Sequence, residues 1–338
     1  MAGLSHLDSF NQETLLGLVD ESVRNATPTL GDQFLPNRNV YSTNFAYDVI
    51  KNSQHIAAMI GYGAEPPVVD RDAVAKMHGE IAKMGLKYIA TEEELLALNQ
   101  ARNNSEQSAM VDRLTVKGLD LVNAIQRRIA VAKMEAIAKG AFSYNKNGVK
   151  VNVDFGVPAG HKVALTSPND WANADHDIMG DLITWASTYE TNTGRAPQAI
   201  LVSREVFALI AKNNGIIVDA GRPVGASRAS QADVQAVLSD NGLPAITVVS
   251  ERKVTVKDIY TGLDETIEYM PVNRVVFVSE GVGNFLLGPT VENNFQPGIF
   301  LDAYDNKEPI QSIFRAVAAG FPAIEAPELL FHADVYTV

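Results

Sequence analysis

The chain has 338 residues, 46% hydrophobic and 20% charged, and its 40 acids against 28 bases give a net charge of -12. That length supports about two domains with a sizeable buried core, and the scattered Lys and Arg leave no basic patch for gripping a phosphate backbone. The absence of cysteine excludes disulfides, thiolate zinc sites and a cysteine nucleophile, and suits folding in a reducing cytoplasm.

The first 30 residues hold no Lys, one Arg (Arg24) and no apolar run of signal-peptide type, so no secretory signal is expected. No stretch reaches the length needed to span a bilayer, and the chain reads as soluble. Residues 1–45 contain a short helical stretch at 11–24, then an extended run from Thr27-Pro28 to Asn39. Too little apolar surface clusters there to fold alone, so the segment reads as an N-terminal arm. Residues 46–91 read as an extended loop. Gly61-Tyr62-Gly63-Ala64-Glu65-Pro66-Pro67 is turn chemistry, and Gly79 and Gly85 argue against a helix although Val74, Met77, Ile81 and Met84 recur at helical spacing. A hairpin with arms of about 15 residues projects roughly 50 Å. Alone in water it is marginal, so it should lie on a neighbouring copy. Thr91 with Glu92, Glu93 and Glu94 forms a capping box that opens a short helix.

Residues 105–139 predict one uninterrupted amphipathic helix. Val111, Leu114, Leu121, Val122, Ile125, Ile129, Ala132 and Ala136 form its apolar stripe, and Asp112, Arg113, Asp120, Gln126, Arg127, Lys133 and Lys139 take the other face. Asn104 with Gln107 offers a start, and Gly140 a stop. At 1.5 Å per residue the rod is roughly 50 Å long, against a radius of gyration of about 20 Å for a compact globule of this length. Such a spine suits an elongated subunit of an assembly.

After it, 144–154 alternates as a hairpin with Asn145-Lys146-Asn147-Gly148 as its turn. From 161 to 300 the pattern is mixed α/β. Helices are expected at 178–190, 204–212 and 231–238, and strands at 199–203, 246–250, 266–270 and 275–279. Residues 213–230, rich in Gly, Ala, Ser and Arg, read as a surface loop. The tail returns to extended structure at 313–319 and 329–338, with its last strand expected in a sheet beside the spine.

Chemical motifs are sparse. Gly281-Val282-Gly283 follows a strand, but Leu286 stands where a dinucleotide fingerprint needs its third glycine, so the segment reads as a structural turn. Asp170, Asp175, His176, Asp177 and Asp181 cluster in sequence, and Asp175 or Asp177 is better explained as the N-cap of the helix near Ile178 than as a metal ligand. The six histidines (His6, His55, His78, His161, His176, His332) show no zinc-binding spacing, and no serine-nucleophile elbow exists. The three acids Glu92 to Glu94 read as a solvated face. No cofactor, metal or catalytic site is expected.

The order of parts resembles tailed-phage major capsid proteins, most closely the lambda-type major capsid protein E family. The resemblance is carried by Gly79-Glu80-Ile81-Ala82-Lys83-Met84-Gly85-Leu86-Lys87 leading into Glu92, by Trp171-Ala172-Asn173-Ala174-Asp175, by Thr193-Gly194-Arg195-Ala196-Pro197 running into Arg204-Glu205-Val206, and by Ala326-Pro327-Glu328-Leu329-Leu330 to Tyr336. One departure is Ala82, where such strands often have proline. The resemblance implies an α+β chain with the Johnson (Hong Kong ninety-seven type) fold: N-terminal arm 1–45, extended loop 46–91, peripheral domain with the spine helix 92–160, mixed α/β axial domain 161–300, and C-terminal strands 301–338 returning to the peripheral domain. It also implies a head protein whose pentamers and hexamers close an icosahedral shell around phage DNA. Scaffold and portal proteins, and the decoration proteins that some relatives bind, are the implied partners, the virion is its destination, and the host cytoplasm is the place of assembly.

Lys76, Lys83 and Lys87, isolated from acids apart from Glu80, are expected to meet acidic surface on an adjacent subunit. The alternatives are an encapsulin-like nanocompartment shell and an α/β enzyme with its site in the 200–290 loops.

Overall fold

The computed structural model describes residues 4, 7–42, 44–50, 74–80, 82–101, 103–146, 149–223, 225–257 and 262–338. Capping chemistry sets the early elements. The Asn11 side chain accepts from the Thr14 N–H at 2.8 Å and opens α1 (Gln12–Asn25). A Thr29–Asp32 capping box opens α2 (Leu30–Phe34), a five-residue helix inside the stretch expected to be extended. Strands β1 (Asn37–Asn39), β2 (Asn44–Ile50), β3 (Val74–Glu80) and β4 (Ala82–Ala90) follow. The Thr91–Glu94 capping box opens α3 (Glu92–Asn99) as its sequence demands.

The long helix α4 (Asn104–Lys139) runs for 36 residues. Its cap is Asn103 rather than Asn104, with Oδ1 accepting from the Glu106 N–H at 2.9 Å. It ends at Gly140, whose φ of 64° suits a residue without a Cβ. Strands β5 (Ala141–Lys146) and β6 (Val149–Asp154) form the expected hairpin, and β7 (Lys162–Ala164) follows. Asp177 caps α5 (Ile178–Thr193), its Oδ1 accepting from the Gly180 N–H at 2.8 Å, so of the two acids expected in this role, Asp175 and Asp177, it is Asp177 that takes it.

Then come β8 (Ala199–Ser203), α6 (Arg204–Lys212), α7 (Asn214–Asp219), α8 (Gln231–Asp240) and β9 (Ile246–Val249). Helix α7 corrects the reading of 213–230 as all loop: Asn213 caps it at Ile216, and Ile216 and Ile217 are buried. The remaining strands are β10 (Lys253–Lys257), β11 (Asp264–Glu268), β12 (Arg274–Val278), β13 (Gly283–Gly288), β14 (Phe300–Lys307), β15 (Ile310–Ile324) and β16 (Leu330–Asp334).

The chain divides into two compact units. The first takes Met1–Ala46, His78–Ala132 and Phe285–Ala323. Its sheet is organised on β15, which pairs antiparallel with β14 along Ile310 to Val317 and with β4 along Ser312 to Gly320. β13 also pairs with β15, and β1 runs parallel to β13. The returning strand of the expected loop, β4, is therefore tied into a sheet of its own chain along its length. α4 faces this sheet at Gly118, where a Cβ would make ordinary van der Waals contact with Leu301 at 3.5 Å and Phe314 at 3.7 Å. The Phe10 ring meets Phe314 edge-on at 5.2 Å. Phe10, Leu15, Val19, Phe34 and Leu35 are all buried, so the N-terminal segment read as an arm packs into its own unit. Its apolar residues are scattered in sequence and gathered in space.

The second unit takes Tyr47–Met77, Lys133–Asn284 and Ile324–Val338. Its mixed sheet has the order β7-β16-β12-β8-β9, with β8 parallel to β9, β16 parallel to β7, and β12 antiparallel to both its neighbours. The C-terminal strand thus enters this sheet, not that of the first unit. Trp171 stacks on Trp185 at 5.6 Å, and Phe277, Phe331, His161 and Tyr189 extend the aromatic core. The last turn of α4 belongs here. Its carbonyls at Ile137 and Ala138, orphaned by the helix end, accept from His332 Nε2 at 2.8 Å and Arg274 Nη1 at 3.2 Å. Burial of its ring pushes the His332 pKa down to about 4.

Candidate intersubunit surface

Alternation along β4 decides which lysines face outward. Ala82, Met84, Leu86 and Tyr88 lie on one face, half-buried, whereas Lys83, Gly85, Lys87 and Ile89 lie on the other and are exposed. The register extends that outer face across the sheet: Lys87 stands opposite Arg315 and Ile89 opposite Ile313, while Arg315 stands opposite Asp302 and Ile313 opposite Tyr304.

Arg315 is the hub of this face. Its Nε and Nη2 donate to the two Asp302 oxygens at 3.0 and 2.6 Å, its guanidinium lies 5.2 Å from the centre of the Tyr304 ring, and its Nη1 is 3.8 Å from Glu292. The hydrogen bonds to Asp302 raise its pKa above the usual arginine value. Lys83 donates to Glu292 at 2.5 Å. That bond, with help from the Glu292 backbone and Arg315, holds the carboxyl below its ordinary range.

The predicted residues separate on this geometry. Lys83 has an acidic partner, but within its own chain and 209 residues away, which no local pattern announces. Lys87 makes no ion pair among the described residues and sits beside a second cation, Arg315. Lys76 and Glu80 lie on β3, and their side chains fall outside the described residues. Sequence reasoning missed Arg315, Asp302 and Glu292. The alternation of Asp302, Tyr304 and Ile313, Arg315 along two strands is the signal that could have found them.

Among the described residues no group of three His, Asp or Glu side chains is placed to hold a metal, and no helix is long and apolar enough to cross a membrane. An open groove of about 430 Å³ lies between α1 and α4, lined by Leu18, Glu21, Asn25, Leu119, Asn123 and Gln126. It joins amides, the Ser22 hydroxyl and one carboxylate to leucines. The Asp181 carboxylate accepts from Trp171 Nε1 at 2.9 Å and meets His176 Nε2 at 2.7 Å, which fixes the entry to α5.

Residues 13–291 match the sequence model of the family described as phage major capsid protein E. Among solved structures, a prophage capsid protein of Escherichia coli CFT073 is similar at 12% identity and a TM-score of 0.63, over 96% of this chain and 99% of that one. A phage-related protein from Bordetella bronchiseptica RB50 is similar at 12% identity and a TM-score of 0.58, over 94% and 96%. The mature capsid of bacteriophage PhiM1 gives 11% identity and a TM-score of 0.50, over 92% and 88%. No curated protein sequence matches.

Proposed function

The chain belongs to the phage major capsid protein E family and has the Johnson fold of tailed-phage heads; on that premise we propose how its copies associate and what they enclose. It is a structural shell protein of the phage head, and the family match favours this over the cargo-holding compartment that shares the fold. The proposed assembly uses pentamers and hexamers, formed in the host cytoplasm with a scaffold and a portal, and the chain works without catalysis.

Modest contacts, each in the roughly 1,000–2,000 Å² class, add up through closure of a symmetric particle. The outer face of β4 is proposed as one of these contacts. Lys87, which makes no ion pair among the described residues, supplies a cation there, next to Arg315, and a neighbour's carboxylate would neutralise it. Lys83 is committed to Glu292, so its proposed part is to fix that face. Lys76 and Glu80 are proposed to reach the same neighbour from β3.

The shell is proposed to enclose DNA without sequence-specific binding. A net charge of -12 keeps phosphate contacts weak and lets the packaged duplex slide. The observation that carries the reading is the family match over residues 13–291. Sedimentation of the purified full chain tests it: fast-sedimenting closed particles are expected, and a chain that stays a single copy at every concentration would contradict it.

A further inference from the structure

Between β13 and β14 the chain makes a narrow turn whose shoulders, Pro289 and Pro297, pair as an antiparallel bridge. Within it the Phe295 N–H donates to the Thr290 carbonyl and the Gln296 N–H to the Asn293 carbonyl, both at 2.9 Å. Asn293 Nδ2 donates to the Gln296 carbonyl at 3.2 Å. The two central residues, Asn294 and Phe295, have φ of 49° and 62°. Two successive positive φ angles define the tight hairpin turn that selects Asn-Gly. Asn294 answers that demand. Phenylalanine in the second place does not, because its Cβ crowds the backbone where glycine has none.

Among the described residues no aromatic contact of the ring offsets this. Phe295 is 68% exposed and Val291, in the same turn, is 70% exposed. Strained backbone that serves no local packing is a mark of functional surface. The turn is also held at its base, where Glu292 is bound by Lys83 at 2.5 Å and approached by Arg315 at 3.8 Å. A large apolar pair on a fixed support loses little freedom on binding, and aromatic anchors of this kind dominate interface energetics.

We infer that the 291–295 turn is a docking knob that inserts the Phe295 ring into a second copy of this chain. The inference rests on the shell reading, which makes further copies the neighbours of every lateral face. Charge points the same way. The knob is anchored to the sheet face that carries Lys87, a cation without an ion pair among the described residues, and a chain with 40 acids against 28 bases presents on balance an acidic surface to it. A single-stranded nucleic acid stacking on the ring is the competing occupant, and the same net charge disfavours it.

The test is Phe295→Gly in the full chain, with Phe295→Asn as a second variant that tolerates the left-handed backbone. Both should leave the thermal midpoint of the unassembled protein unchanged or raised, since strain is relieved. Both should raise the protein concentration needed for particle formation about ten-fold or more. A fall in the midpoint with normal assembly would make the ring a structural element and overturn the inference. So would particle formation at the wild-type concentration, or a loss confined to oligonucleotide binding. In each of these cases wild-type particles still form and the shell reading stands; a wild-type chain that never assembles would remove both.

Discussion

Arg274 and Asp334 face each other in register across β12 and β16, and their side chains close a two-point ion pair at 2.7 and 2.8 Å. The third arm of the guanidinium reaches the Ala138 carbonyl. One side chain thus links two strands and the last turn of the long helix, where a cation also complements the helix dipole. Arg274→Met should destabilise the chain by about 2–3 kcal/mol, because a partly buried carboxylate and a helix carbonyl both lose their donor. Asp334→Asn should cost less, since the helix contact survives. Denaturant midpoints of the two variants check this, and equal losses would refute the linking role of Arg274.

His332 gives the fold a pH dependence with a defined sign. Its ring is buried, donates to the Ile137 carbonyl, and faces Arg274, Lys162 and Asp334; burial lowers its pKa from 6.5 to about 4. The unfolded chain therefore binds this proton first as pH falls. Stability should be full above about pH 6.5 and decline toward pH 4, by about 3 kcal/mol from this residue. His161, also buried and lowered by desolvation, acts in the same direction. Unfolding curves of wild type and His332→Gln between pH 4 and 8 measure the slope, and identical slopes for the two would count against it.

Gly140 stands where three demands meet. Its φ is 64°, and a Cβ there would lie 2.6 Å from Val157 Cγ2 and 3.0 Å from His332 Cε1. Gly140→Ala should cost about 3 kcal/mol, from left-handed strain together with overpacking. Gly156, also at positive φ but with open space around it, should cost less on the same change. Comparing the two thermal midpoints separates steric from conformational effects.

Lys87 should behave oppositely to these core residues. It lies opposite Arg315 with no ion pair among the described residues, so Lys87→Glu should leave the unassembled chain's stability within about 0.5 kcal/mol. Particle yield at low salt should fall, and the defect should shrink as salt screens the contact. Unchanged yield at low salt would remove Lys87 from the interface.

Much of the fold was legible because period and punctuation agreed locally. The stripe through Leu114, Val122, Ile125 and Ile129 declares α4, Gly140 declares its end, and Asp177 and Thr91 announce the helices they cap. What stayed hidden depends on distant partners. Strand β10 reads as polar until Lys253 and Lys257 stand opposite Glu268 and Asp264 on β11. Phe10 and the Phe34-Leu35 pair stand apart in sequence and become core only in the folded first unit. Helices α2 and α7 are too short to show a period. The outer face of β4 was half legible: its lysines stand out in sequence, but Glu292 and Arg315 arrive from other strands and turns. The Phe295 turn had a signal in its flanking prolines and the Asn293-Asn294 pair, masked by the phenylalanine where glycine belongs.

Direct imaging of the purified full-length protein by electron microscopy tests the central claim most squarely. Hollow, closed particles built from many copies of this one chain are expected. A field of separate single copies, unchanged by concentration or salt, would contradict it.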